Sequence, residues 1–332
     1  MKRYIVFFSI VLLVSCTSNP KRNYTQINGF AQGTTYNISY FDQQQRDFST
    51  SIQEILEKVD SSMSLYRENS IINNFNRSEK GMEVDSLLAQ VVNLSLMYSA
   101  QSSWAFDITV GPLAKVWGFH AKRGEMPDEL SIDRLKKLTG PDMISIDGNF
   151  ISKKSLEVMI DVNAIAQGYT VDLLAEFLEI KGVKDYLVEL GGEIRTKGIS
   201  SRGKNWLVGV DKPVDNAMSG ENLQAIIGLS GESLVTSGNY RKFFVREGVK
   251  YSHTINPVTG YPVTHSLLSA TVIDSTSARA DALATAFMVM GVDKAKEWLD
   301  KNPDVDAYLI YSNQNGDYEV WMTKGFEKRI VD

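Results

Sequence analysis

The chain has one cysteine in 332 residues, Cys16, and three histidines. A single cysteine so close to the N-terminus closes no internal disulfide and leaves the body without a thiol nucleophile or a zinc-thiolate site. Stability must come from packing. Excess charge of one sign is missing too: 35 Lys and Arg stand against 40 Asp and Glu, a formal net charge of −5, and the basic residues are scattered. That excludes the clustered basic footprint that neutralises nucleic-acid phosphates, so no nucleic acid is expected as a partner. No apolar run reaches the roughly 20 residues that a membrane-spanning helix needs. Neither a Walker P-loop nor a GxGxxG dinucleotide fingerprint occurs, and no internal repeat is visible. What remains is ordinary globular composition, 43% hydrophobic and 23% charged, in a chain long enough for one large domain or two closely packed ones.

The N-terminus is more specific. Lys2 and Arg3 precede an apolar run from Ile5 to Val14, which reads as a secretory signal peptide over residues 1–15. Leu13-Val14-Ser15-Cys16 resembles the bacterial lipobox, in which the cysteine is lipidated and becomes the first mature residue. An ordinary cleavable signal with a chance cysteine stays open. Residues 16–26 then form a short polar tether, and residues 27–332 the folded domain.

Periodicity predicts the elements. Residues 27–41 alternate as strands around a tight turn at Gly33-Thr34-Thr35, and Ser51 with Glu54 suggests a capping box opening a helix that runs to about Ser62. Leu87, Leu88, Val91, Leu94 and Tyr98 mark a second helix. Residues 120–150 are the most loop-like part, with Gly124, Pro127, Gly140 and Pro141 punctuating two short elements. Val158-Met159-Ile160 reads as a strand entering a helix from Asn163 to Glu179. Strands follow at 186–190, 206–210, 225–229, 233–236, 242–245 and 268–273, then helices at 278–290 and 293–301, then a hairpin pairing 307–311 with 318–322. Segregated strands and helices argue for an α+β fold with mixed sheets rather than a doubly wound one.

Asp281 and Thr285 lie four apart among small alanines, so a carboxylate and a hydroxyl share one helix face. Such hard oxygens suit magnesium; a solvated aspartate and a threonine bonded to its own helix are the plain alternative. The Asp161–Tyr169 segment is a strand-to-helix junction with free backbone groups that could hold a phosphate or a metal, while Asp161 as a simple N-cap is equally open. His253 sits in a loop stiffened by Pro257, Gly260 and Pro262. With an unperturbed pKa near ~6.5 it could act as a general base, or merely satisfy a backbone carbonyl in a turn. His120 and His265 have no comparable setting and are read as structural.

Seven ordered segments together resemble the ApbE-like FAD:protein FMN transferases. Gly33-Thr34-Thr35-Tyr36 is similar to the family's MGTxY/W segment, with Gln32 where methionine is usual. Met63-Ser64-Leu65-Tyr66-Arg67, with Ser70 and Asn76, resembles MSxYxxxSxxxxxN. Phe106-Asp107-Ile108-Thr109-Val110 through Trp117-Gly118-Phe119 resembles FDxTVxPLxxxWGF. Asp161 to Asp172 resembles DxxxIAxGYxxD, with Gln167 where lysine or glutamate is common. Leu190 to Gly198 resembles the glycine turn, Ser252 to Gly260 the SHIxxPxTG stretch, and Ala280 to Thr285 the ADAxxT stretch.

The resemblance implies an ApbE-like fold with its active site in the cleft between two subdomains. It implies Mg2+ held by Asp281, Thr285 and the backbone carbonyl of Ala164, with Ala284 beside them. FAD, the substrate, would be lined by Gln32, Tyr66, Ala105, Phe106, Asp107, Asp161, Gln167 and Thr254 or Ile255, and His253 would accept a proton or orient the substrate. A threonine hydroxyl of an acceptor protein would attack the FMN phosphorus in line and AMP would leave. Family acceptors belong to membrane redox complexes such as the sodium-pumping quinone reductase and Rnf. The corresponding location is the bacterial cell envelope, lipid-anchored at the inner membrane and facing the periplasm. Two other outcomes are carried forward: an Mg-dependent FAD pyrophosphatase releasing FMN and AMP, and a non-catalytic FAD-binding lipoprotein.

Overall fold

A computed structural model of the chain describes residues 22–119, 126–214, 221–239, 243–246 and 249–331. The expected signal peptide, Cys16, the start of the tether and His120 lie outside these residues. No helix among the described residues is long and apolar enough to cross a membrane.

The principal sheet has eight strands: β1 (Thr25–Ala31), β2 (Thr34–Phe41), β3 (Asp185–Leu190), β4 (Glu193–Lys197), β5 (Ser233–Gly238), β6 (Leu267–Asp274), β7 (Asp306–Ser312) and β8 (Tyr318–Met322). They lie side by side in chain order, each antiparallel to the next. The fold is therefore α+β, with the helices inserted between strands of an antiparallel meander. Alternation along the strands assigns the two faces. Val235, Val272 and Leu309 pack on one side, and their chain neighbours Leu234, Ile273 and Ile310 on the other.

The first face carries two helices side by side, α4 (Ala166–Ile180) and α5 (Ser277–Met290); their labels follow α1 (Ser49–Met63), α2 (Ile71–Arg77) and α3 (Ser86–Gln101). Val171, Leu174, Ala175 and Leu178 of α4 cover Ile38, Tyr40 and Val188, while Ala280, Leu283, Ala284 and Phe287 of α5 cover β5, β6 and β7. A full burial of a side chain such as Leu283 contributes about 1.5–3 kcal/mol. Ala278, Ala282 and Ala286, on the other side of α5, meet Val91, Val92 and Tyr98 of α3. Helix α5 is thus buried nearly all round, with eleven of its fourteen residues inside, and its alanines let neighbours approach from every side. The opposite face of the sheet is covered by the hairpin Trp206–Asp211 and Leu223–Leu229 and by Phe326.

Several expected boundaries shift for physical reasons. Helix α1 begins at Ser49, not Ser51, because the Asp47 carboxylate accepts both the Ser49 amide and its hydroxyl. The first turn is Gln32-Gly33, with Gln32 at φ 51°, and Thr34 and Thr35 already belong to β2. Val158-Met159-Ile160 joins no sheet: both backbone groups of Ile160 pair with the Asn76 side chain instead. Helix α4 begins at Ala166 rather than Asn163 and is not capped by Asp161, whose carboxylate accepts the Asn163 amide in a tight turn before it.

Candidate active site

The site is built where α4 crosses α5. Gly168, in the first turn of α4, donates its amide to Oδ2 of Asp281 at 3.2 Å. That amide is one of the orphan donors every helix start presents, so the positive end of α4 faces a carboxylate that is only 5% exposed. The dipole that favours Asp281 therefore comes from the neighbouring helix rather than from its own. The approach is possible because residue 168 lacks a side chain: a Cβ there would fall 2.5 Å from the Ser277 carbonyl oxygen and 2.8 Å from Asp281 Cβ. One turn further along α4, Asp172 takes the amides of Ser277 and Ala278, each at 2.9 Å, and a 2.7 Å bond from Arg195. Thr276, the residue that would ordinarily cap α5, makes no side-chain cap bond, so Asp172 does that work from another helix. Burial pushes the Asp172 carboxyl up, and the two amides and Arg195 pull it back.

On the same face of α5, one turn after Asp281, the Thr285 hydroxyl lies 3.4 Å from that of Ser237 at the end of β5. One carboxylate and two hydroxyls form a hard-oxygen donor set that fits magnesium, which keeps oxygen ligands and binds through one or two carboxylates together with substrate phosphates. Ala164 lies two residues before α4, half-buried in the turn, with its backbone carbonyl oxygen as the only acceptor it can offer a metal. Ala284 packs in the core under α5 and presents no side-chain donor.

The expected flavin-lining residues fall on segments around this crossing. The Gln32 amide donates to Thr170 of α4 at 2.8 Å. Gly191, at φ 68°, sits so close to Gln167 and Thr34 that a Cβ there would lie 3.1 Å from Gln167 Nε2 and 2.9 Å from Thr34 Cγ2. The glycine turn, the β1–β2 turn and the start of α4 thus converge. Asp107 accepts the Thr109 amide and hydroxyl at 2.8 and 2.7 Å, opening a short 3-10 turn, and burial raises its carboxyl above the usual range. Phe106 is buried and Ala105 half-buried beside it. The Asp161 amide donates to the Ile108 carbonyl at 2.7 Å, which places the 161 turn next to Asp107. Tyr66 is largely exposed; desolvation first and the Asp161 carboxylate second push its phenol above the ordinary value.

His253, Thr254 and Ile255 belong to a different element, the loop after the short ribbon Phe243–Arg246 and Val249–Ser252. His253 is exposed, Thr254 and Ile255 are buried, and Ile255 packs with Leu113, Trp117 and Ile132. The Trp117 indole donates to the Gly260 carbonyl at 2.9 Å, tying two segments 143 residues apart. The loop packs against Leu113 of the helix Gly111–Val116 and against Ile132 and Lys136.

Three residues that shape the site were given no role from the sequence: Asp172 and Asn76 were noted only as positions of the family-like segments, and Lys153 not at all. Asp172 interrupts the apolar face of a helix, and a carboxylate there must be paired, which is a usable signal. Asn76 pairs with the backbone of Ile160, 84 residues away, and Lys153 reaches the Asn76 carbonyl, 77 residues away, so neither role shows in the hydrophobic periodicity. Lys153 is 6% exposed, donates to the carbonyls of Asn76, Leu156 and Val158, and is lowered by burial to about 8.

The model of the ApbE family matches residues 32–309. The chain belongs to the ApbE family. An FAD:protein FMN transferase of Vibrio cholerae is 33% identical over 95% of this chain and 96% of its own length, and one of Haemophilus influenzae is 35% identical over 92% and 90%. Among solved structures, the flavin transferase ApbE from Vibrio cholerae superposes with a TM-score of 0.83 at 32% identity, covering 93% of this chain and 99% of that one. The apo flavinyl transferase ApbE of Pseudomonas stutzeri gives the same TM-score and identity over 93% and 97%. The ApbE match spans the β1–β2 turn, β2, α4, α5 and the loop of His253, so every segment of the site lies within it.

Proposed function

We propose that this chain is an FAD:protein FMN transferase that joins the FMN half of FAD to a threonine of an acceptor protein and releases AMP. The observation that carries the reading is the buried Asp281 carboxylate on the Gly168 amide, with Thr285 one turn away. This is a compact anion-and-cation site within a family whose relatives carry that name. Asp281, Thr285 and the Ala164 carbonyl would hold magnesium, which supplies positive charge to the pyrophosphate when bound.

This chain's own residues do the rest. The positive end of the α4 dipole favours phosphate charge nearby, with the Gly168 amide itself already engaged by Asp281. Tyr66, Ala105, Phe106, Asp107, Asp161, Gln32 and Gln167 line and orient the dinucleotide, with Thr254 and Ile255 from the second loop. His253 takes the proton of the acceptor hydroxyl as its oxygen bonds to the FMN phosphorus; the bond from that phosphorus to the AMP oxygen breaks. A lipid on Cys16 would hold the enzyme at the inner membrane, facing the periplasm. There it would meet subunits of the sodium-pumping quinone reductase or Rnf type at raised effective concentration.

The test is incubation of the full chain with FAD, magnesium and an acceptor domain, followed by a denaturing gel and mass spectrometry. Covalent flavin fluorescence and a mass gain of one FMN on threonine are expected. Free FMN and AMP without labelled acceptor would make the chain a pyrophosphatase, and tight FAD binding without AMP a carrier.

A further inference from the structure

The segments bearing Tyr66 and Asp161 are joined by one short helix, and Asn76 stands at the joint. Near the start of α2, Nδ2 of the Asn73 side chain donates to the carbonyls of Leu65 and Arg67 at 3.1 and 2.9 Å, bracketing Tyr66. Three residues on, Asn76 donates to the Ile160 carbonyl at 3.0 Å and accepts the Ile160 amide at 2.8 Å. Its side chain thus stands in for the neighbouring strand that Ile160 lacks, satisfying both backbone groups of a buried residue. The next amide, of Asp161, goes to Ile108 beside Asp107. Three segments that line the proposed FAD site therefore share one register, and it passes through Asn76.

The joint is braced from below. Lys153 spends its three ammonium donors on the carbonyls of Asn76, Leu156 and Val158, at 2.9, 3.1 and 3.0 Å. It thereby fixes both the end of α2 and the run leading into Ile160. Both residues are 6% exposed, and the charge is retained in a setting where burial disfavours it.

We propose that Asn76, braced by Lys153, is a positioning residue for the dinucleotide, setting the spacing of Tyr66, Asp107 and Asp161. The inference rests on the reading of those three residues as lining FAD. It differs from a plain structural role in one respect: cofactor affinity should fall at temperatures where the protein is fully folded.

The experiment measures FAD binding to the full chain, without acceptor, by flavin fluorescence and calorimetry, alongside circular dichroism and thermal unfolding. Asn76→Ala, Asn76→Asp and Lys153→Met are compared with wild type. Asn76→Asp keeps the acceptor for the Ile160 amide and loses the donor to its carbonyl. Folded Asn76 variants should bind FAD about 10-fold more weakly or worse, and Lys153→Met should weaken it by a few-fold; in a separate assay with acceptor added, KM for FAD should rise more than kcat falls. Folded variants with FAD affinity within about twofold of wild type would overturn the inference. Should Asn76→Ala fail to fold, the Asp and Met variants decide by the same criterion. A wild-type chain that does not bind FAD would remove the functional reading itself, and the positioning role with it.

Discussion

The carboxylate of Asp172 accepts the amide of Ala278 at 2.9 Å across 106 residues of chain. One side chain on α4 thus caps the helix that carries Asp281 and Thr285, and its other oxygen is shared between Ser277 and Arg195. Replacing Asp172 by Ala would strand two helix-start amides and a mostly buried guanidinium. A loss of about 2–4 kcal/mol in urea unfolding is expected, with Asn at 172 in between because it keeps one acceptor oxygen. Unchanged unfolding midpoints would contradict the capping role.

Gly168→Ala places a methyl against the Ser277 carbonyl and the Asp281 side chain. The helices must part, at an expected cost of about 1–3 kcal/mol. Because the displaced group is the proposed metal carboxylate, half-maximal transfer should need more magnesium than wild type. A magnesium titration identical to wild type would show that the contact is packing only.

Asp281→Ala should reduce transfer at least 100-fold at fixed magnesium, in line with the several kcal/mol that charge neutralisation supplies at a phosphoryl centre. The same variant should keep its fold, since Asp281 is a small side chain whose removal leaves the alanine-rich packing of α5 in place. Rate retention within a few-fold would count against the metal assignment.

His265 supplies a pH test independent of the site. Its Nε2 donates to the Met288 carbonyl at 2.8 Å and its Nδ1 accepts the Leu267 amide at 3.3 Å, which fixes the neutral ring. Burial lowers its pKa, and backbone hydrogen bonds offset part of that. Below about pH 6.5 the unfolded chain binds a proton that the folded chain resists, so stability is present above that pH and declines as pH falls. A decline in stability as pH falls from 6.5 to 5.5 is expected, no steeper than the ~1.4 kcal/mol per pH unit that one proton allows, and His265→Gln should flatten that slope. Equal slopes in the two proteins would reject this account.

Much of this was legible in the sequence, because the informative signals are local. The four-residue spacing of Asp281 and Thr285 gave their common face, and strand alternation with segregated helices gave the α+β class. Where the reading slipped, a distant group had taken over a local role. Asp47 rather than Ser51 sets the start of α1. Ile160 is extended without a strand partner because Asn76 lies 84 residues away. Asp161 turns on itself and donates its amide to Ile108, so α4 starts later than its apolar pattern suggests. Side chains that bond to remote backbone carry no periodicity, so hydrophobic pattern does not reveal their roles even where, as at Asn76, the residue falls in a family-like segment.

The chain-order meander has a cost in time. Strand β2 meets β3 only when Asn37 pairs with Glu189, 152 residues later. At ribosomal rates of about 5–20 residues per second, that partner is made on the order of ten seconds after β2. Until then the β1–β2 hairpin carries a bare hydrogen-bonding edge with Tyr36, Ile38 and Tyr40 uncovered, a surface that invites wrong pairing. Early shielding of that nascent hairpin, by a chaperone or by holding the chain unfolded, should govern the yield of correctly folded enzyme.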